Sequence, residues 1–202
     1  MAYIKVIQPD AAEGKLAELF RRVRGPTGQV DNVLQIHSLR PHTMEGHMAL
    51  YKAVLHHSGN RTPGWFLESL GVLVSMLNGC GYCTRHHSAG LKRLLQAEPG
   101  RYEAYMAQLQ STAPGQPFTA AQCAGLRYAR KLTLSPGEIV QQDIDELLAA
   151  GISDGEILEI NQVASYFAYV NRTVAGLGVS TEGEQLGHSP QVSTNLDDWN
   201  HA

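Results

Sequence analysis

Apolar residues return every three or four positions along most of this chain, and the β-branched alternation that marks strands is missing. That pattern confines the fold to packed helices. Leu16, Leu19, Phe20 and Val23 keep helical spacing behind Asp10 and Glu13, which read as a capping box, and Gly25-Pro26 stops the run. A helix from Pro41 carries Met44, Met48, Tyr51 and Leu55 on one face, a core or subunit-interface stripe, and fades at Ser58-Gly59-Asn60. Thr62-Pro63 supplies an N-cap and a first-turn proline for a strongly apolar helix containing Trp65, Phe66, Leu67, Leu70, Val72, Leu73 and Met76. Asn78-Gly79 closes it, and the next helix starts near Cys80 and runs to Gly100. Thr119 with Gln122, Ser135-Pro136 with Glu138, and Ser153 with Glu156 open further helices, the last reaching about Ala175. The expected architecture is all-α: a single-domain helical bundle over residues 1–180, followed by a polar arm or loosely packed extension over 181–202.

At 202 residues the chain can bury one sizeable core. A net charge of -3, with both signs interspersed, leaves no electrostatic footprint for nucleic acid or an anionic membrane. Arg21, Arg22 and Arg24 read as a helix C-terminus, where cations suit the dipole, and His56-His57 read the same way. No stretch approaches the ~20 apolar residues needed to cross a bilayer, and the N-terminus lacks a signal-peptide pattern, so a cytoplasmic location is expected. Three cysteines are too few for a disulfide framework. In a reducing compartment a CxxC pair means redox chemistry or metal.

The informative segment runs from Glu68 to His87. Cys80 and Cys83, three apart at a helix start, can form a disulfide within one turn, and the helix's unpaired N–H groups favour a thiolate there. His87 lies one turn beyond Cys83 on the same face, and a base beside a thiol activates it. On one straight helix Glu68 would sit ~18 Å from Cys80. If the chain folds back at Asn78-Gly79, Glu68 instead comes opposite residues 87–90, where a carboxylate would orient the imidazole and raise its basicity. A charge between Leu67 and Leu70 on an apolar helix is also expensive without a partner.

The spacing Glu-x11-Cys-x2-Cys-x3-His over Glu68, Cys80, Cys83 and His87 resembles the signature of the AhpD-like alkylhydroperoxidases. These sit within the carboxymuconolactone decarboxylase superfamily. The Asn78-Gly79-Cys80 lead-in, the helix pair around Ala150-Gly151, and Tyr169-Val170-Asn171-Arg172 are similar to its peroxidase-related branch. The resemblance implies an all-helical homo-oligomer that reduces hydroperoxides without flavin or haem, with an external dithiol or thiol protein as reductant. It implies that Cys83 attacks the peroxide, that Cys80 condenses with the sulfenic acid, and that His87 and Glu68 assist. Tyr82 stands where the best-studied family type has a histidine.

Other readings stay open at this stage. The protein could pass electrons to a peroxiredoxin as a redox adaptor, or act as a decarboxylase-branch enzyme without thiol chemistry. Cys80, Cys83 and His87, with Cys123 or His86 as a fourth ligand, could hold zinc. A c-type haem is disfavoured because Thr84 stands where attachment needs histidine. Glu68 could be a solvated helix residue. His86 points ~100° away from His87 around the helix and reads as a surface or inter-subunit residue. Cys123 reads as a small buried hydrophobe, and Asn171 as a structural hydrogen-bonding residue. The apolar girth of the helix around residues 65–76 suggests a partner subunit.

Overall fold

The computed structural model describes residues 2–96 and 100–200. Among them are nine α-helices and no β-strand: α1 (Gly14–Arg22), α2 (Asn32–Gln35), α3 (Pro41–Leu55), α4 (Gly64–Leu77), α5 (Gly81–Leu95), α6 (Arg101–Gln110), α7 (Ala120–Leu134), α8 (Gln141–Ala149) and α9 (Asp154–Gly176). No helix among the described residues is long and apolar enough to cross a membrane.

The apolar girth of α4 places it at the centre. Every residue from Phe66 to Ser75 is buried, under α5, α9, α7 and α6 of the same chain. The ground for expecting a partner subunit against this helix therefore lapses: the chain covers α4 itself. The main core joins α4 to Leu91 and Leu95 of α5, Leu126 and Ala129 of α7, and Val163 and Phe167 of α9. A second cluster holds α1 and α3 together through Leu16, Leu19, Phe20, Met44 and Met48, closed from the far end of the chain by Trp199. Gly79, at φ 66°, adopts the left-handed conformation that turns α4 back into α5, and Cys80 N–H completes the turn on the Ser75 carbonyl at 2.9 Å.

The capping boxes at Thr119/Gln122 and Ser153/Glu156 form as expected. Three other helix starts differ. Asp10 falls in a 3-10 turn after Pro9, and α1 begins only at Gly14, with Glu13 at an N-cap its side chain does not use. Pro63, not Thr62, occupies the N-cap of α4; the Arg61 and Thr62 amides donate instead to the Glu159 carboxylate of α9, at 2.9 and 2.8 Å. Ser135-Pro136 opens one 3-10 turn, because Asp143 and the Val140 amide, 2.8 Å apart, restart the chain as α8. The one-turn α2 and the whole of α6 carry no start signal of the kind sought. The helix after Cys80 ends at Leu95, short of the expected Gly100, and residues 97–99 lie outside the described residues.

The polar C-terminal arm is packed down rather than loose. Ser193 pairs with the backbone of His56 and Ser58, both at 3.1 Å, Arg22 meets Asp197 at 2.6 Å, and Arg93 donates to Ser189 Oγ at 2.7 Å. Lys52 is fully buried and donates its Nζ to the Gln191 carbonyl. These anchors stretch the arm across the open edge of α3 and α5.

Candidate active site

The turn at Gly79 brings the two halves of the motif face to face. Glu68 Oε2 lies 2.7 Å from His87 Nδ1, and the carboxylate is only 4% exposed. Burial by itself would raise the Glu68 pKa, but the charge and hydrogen bond of His87, helped by His56 and Arg93, hold it below its ordinary value. With Nδ1 engaged, Nε2 is the ring nitrogen left to the adjoining cavity. Phe167 meets the His87 ring edge to face at 4.6 Å and fixes its plane. The expectation of a solvated Glu68 is excluded by this geometry.

Cys80 is the N-cap of α5, and Cys83 lies on its first turn. Both are free thiols, each 3% exposed, so burial does not separate them. Their proton affinities do. A hydrogen bond from the Cys83 thiol, supported by the Cys83 and Tyr82 amides and by Asn171, brings Cys80 down to about 6 against the cost of burial. The same hydrogen bond, burial and the charge on Cys80 push Cys83 up. Ionisation is therefore favoured at Cys80 and disfavoured at Cys83. The hydrogen bonds that Cys80 accepts at the start of α5, from the Cys83 thiol first, set that direction.

Cys83, His87 and Glu68 line a cavity with about 60 Å³ open to water, enough for a few solvent molecules. Tyr51, Tyr166, Val170 and Trp199 form its apolar side, and Gly187, His188, Ser189 and Pro190 of the arm form its roof. Asp31 also faces it; burial raises this carboxyl to about 6, against the pull of His86.

Sequence reasoning missed the site roles of His86 and Glu184, whereas Asn171, read as a structural hydrogen-bonding residue, is one. Asn171 accepts from Asn78 Nδ2 at 2.9 Å, donates to Ser75 Oγ at 3.1 Å, and favours the ionised form of both cysteines. It ties α9 to the turn. His86 is not a surface residue: it lines the cavity and its Nε2 lies 3.0 Å from Glu184 Oε2. Its signal was present, since i,i+3 and i,i+4 are both neighbours of residue i on a helix, which puts His86 as well as His87 beside Cys83. Glu184, 98 positions away, had no local signal. His56, expected as a cation at a helix end, is buried beside Tyr51, and burial lowers its pKa to about 4.

The proposed zinc ligands do not converge. Among the described residues no group of three histidine, cysteine or acidic side chains is placed to hold an ion. Cys123 packs in α7 with its sulfur toward the Phe118 carbonyl.

Neither a family model nor a curated protein matches the sequence. Solved structures do match the fold. An AhpD-core, peroxidase-related protein from Ralstonia eutropha JMP134 superposes with a TM-score of 0.74 at 22% identity, over 89% of this chain and 91% of that one. The fold is that of the AhpD core. A peroxidase-related protein from Silicibacter sp. TM1040 gives 0.75 at 23%, over 89% and 91%. The debrominase Bmp8 gives 0.71 at 21%, over 90% and 92%.

Proposed function

We propose that this protein is a thiol-dependent peroxidase of the AhpD type, reducing hydroperoxides through Cys83 and Cys80. The observation that carries the reading is the buried Glu68–His87 pair at 2.7 Å on the same cavity as Cys83, with Cys80 three residues away on the same helix start.

Cys83 is the sulfur that faces the cavity, and attack proceeds from the less populated form of the dithiol in which Cys80 carries the proton and Cys83 is the thiolate. His87, oriented by Glu68, positions the peroxide for attack and offers Nε2 to its hydroxyl. Cys83 sulfur then bonds the outer oxygen, the O–O bond breaks, and the product alcohol leaves. The peroxide gains two electrons and the sulfur becomes a sulfenic acid. Cys80 attacks that sulfur, water departs, and the disulfide awaits an external dithiol. Direct exchange with a protein partner such as a peroxiredoxin is disfavoured while both cysteines are buried, each 3% exposed.

Turnover of cumene hydroperoxide by the full chain with dithiothreitol, read as alcohol formed, tests the proposal. The expected result is catalytic alcohol production abolished by Cys83→Ser. Turnover equal to the dithiothreitol blank contradicts it.

A further inference from the structure

Two imidazoles, not one, flank Cys83, and each leans on its own carboxylate. Glu68 in α4 supports His87, and Glu184 in the arm supports His86 at 3.0 Å. Glu184 is built in. Its side chain is 5% exposed, it accepts from the Tyr82 hydroxyl at 2.8 Å, and it accepts from the Asn32 amide as well as from His86. The His86 ring lies against Tyr82, with centroids 4.6 Å apart. Burial, followed by the charge on Glu184, keeps the Tyr82 hydroxyl protonated as a donor. The groups facing His86 are therefore Glu184 from the arm, Asp31 at the start of α2, and Tyr82 and His87 on its own helix.

We infer that the His86–Glu184 pair is the general acid that protonates the leaving alkoxide when Cys83 cleaves the peroxide. This rests on the thiol-peroxidase reading above. The division of labour follows from the proton count. The attacking form of the dithiol is the Cys83 thiolate with a proton on Cys80. After the O–O bond breaks, the sulfenic oxygen keeps the peroxide's own hydrogen, and the departing RO⁻ needs one more. In its imidazolium form His86 donates Nε2–H to Glu184 and has Nδ1–H left to give. Condensation of the Cys80 thiol with the sulfenic acid then releases water, so one thiol, one thiolate, ROOH and one proton become a disulfide, ROH and water. The arm thus supplies half of an acid–base pair, and the chemistry is complete only when residues 184–190 are seated over the cavity.

The test exploits leaving-group basicity. tert-Butyl hydroperoxide expels a strongly basic alkoxide that needs protonation, whereas peracetic acid expels a carboxylate that does not. The pre-reduced full chain is mixed with each oxidant, and the loss of thiol is followed by stopped flow for wild type, His86→Gln and Glu184→Gln. The expected result is a fall of about 100-fold with tert-butyl hydroperoxide for His86→Gln, a smaller fall for Glu184→Gln, and little change for either with peracetic acid. Equal losses with both oxidants would mean that the pair only anchors the arm, and no loss would mean that it has no part; either overturns the inference. If wild type reacts with neither oxidant, the peroxidase reading itself falls. Should His86→Gln misfold, Glu184→Gln decides alone, because it keeps the size and an acceptor oxygen at that position.

Discussion

Replacing Glu68 by glutamine keeps the shape of the side chain and removes its charge. The contact affected is the 2.7 Å bond to His87 Nδ1, made by a carboxylate that is 4% exposed. A hydrogen bond to a charged group contributes about 1.5–3 kcal/mol. At about 1.4 kcal/mol per decade, losing it from the transition state slows attack ~10- to 150-fold. The neutral amide still offers an oxygen to Nδ1, which points to the lower part of that range, ~10- to 50-fold. Trp199 lines the cavity and gives a fluorescence signal at the reacting sulfur. The assay is stopped-flow oxidation of pre-reduced protein by cumene hydroperoxide at neutral pH. Exchange with a small dithiol, which leans less on the histidine, should suffer less. A Glu68→Gln rate equal to wild type would refute the reasoning and leave the 2.7 Å pair a structural one.

Asp31 gives a pH-dependent stability test. Its carboxyl is raised from 3.8 to about 6, so the native state holds a proton that the unfolded chain releases, and stability falls as pH rises through that window. Asp31→Asn should therefore stabilise by about 1–2 kcal/mol at pH 8 and by nothing below pH 4, measured by thermal unfolding; equal gains at both pH values would contradict this. Gly187 has φ 82°, and a Cβ there would lie 2.9 Å from Ala89 backbone carbon, so Gly187→Ala should lift the arm and make 184–200 susceptible to limited proteolysis while the bundle stays intact. A cleavage pattern identical to wild type would show that the arm tolerates the side chain.

The helical class, the apolar run of α4 and the turn at Asn78-Gly79 were legible because they depend on local patterns: apolar spacing, glycine at a left-handed position, capping boxes. The Glu68–His87 contact was legible for the same reason, since one turn between two adjacent helices fixes their register. The false starts at Asp10, Thr62 and Ser135 share a cause. Each resembled a cap in isolation, but a nearby proline or a distant carboxylate claimed the backbone first. The ionisation order of the cysteines was not legible, because it turns on Asn171 and on which thiol donates to the other across 2 helical residues between them. The arm was hidden most completely. Nothing in the polar stretch after Gly178 announces that Glu184 will meet His86 or that Trp199 will close a core formed by α1 and α3.

The central claim is that Cys80 and Cys83 are the redox pair, and thiol counting after a single oxidising equivalent tests it most directly. Reduced protein is treated anaerobically with one equivalent of cumene hydroperoxide, remaining thiols are alkylated, and the peptides are mapped by mass. The account predicts that two thiols are lost per chain, that they are joined as a Cys80–Cys83 disulfide, and that Cys123, buried in α7, keeps its thiol. Three intact thiols, or oxidation confined to Cys123, would contradict it.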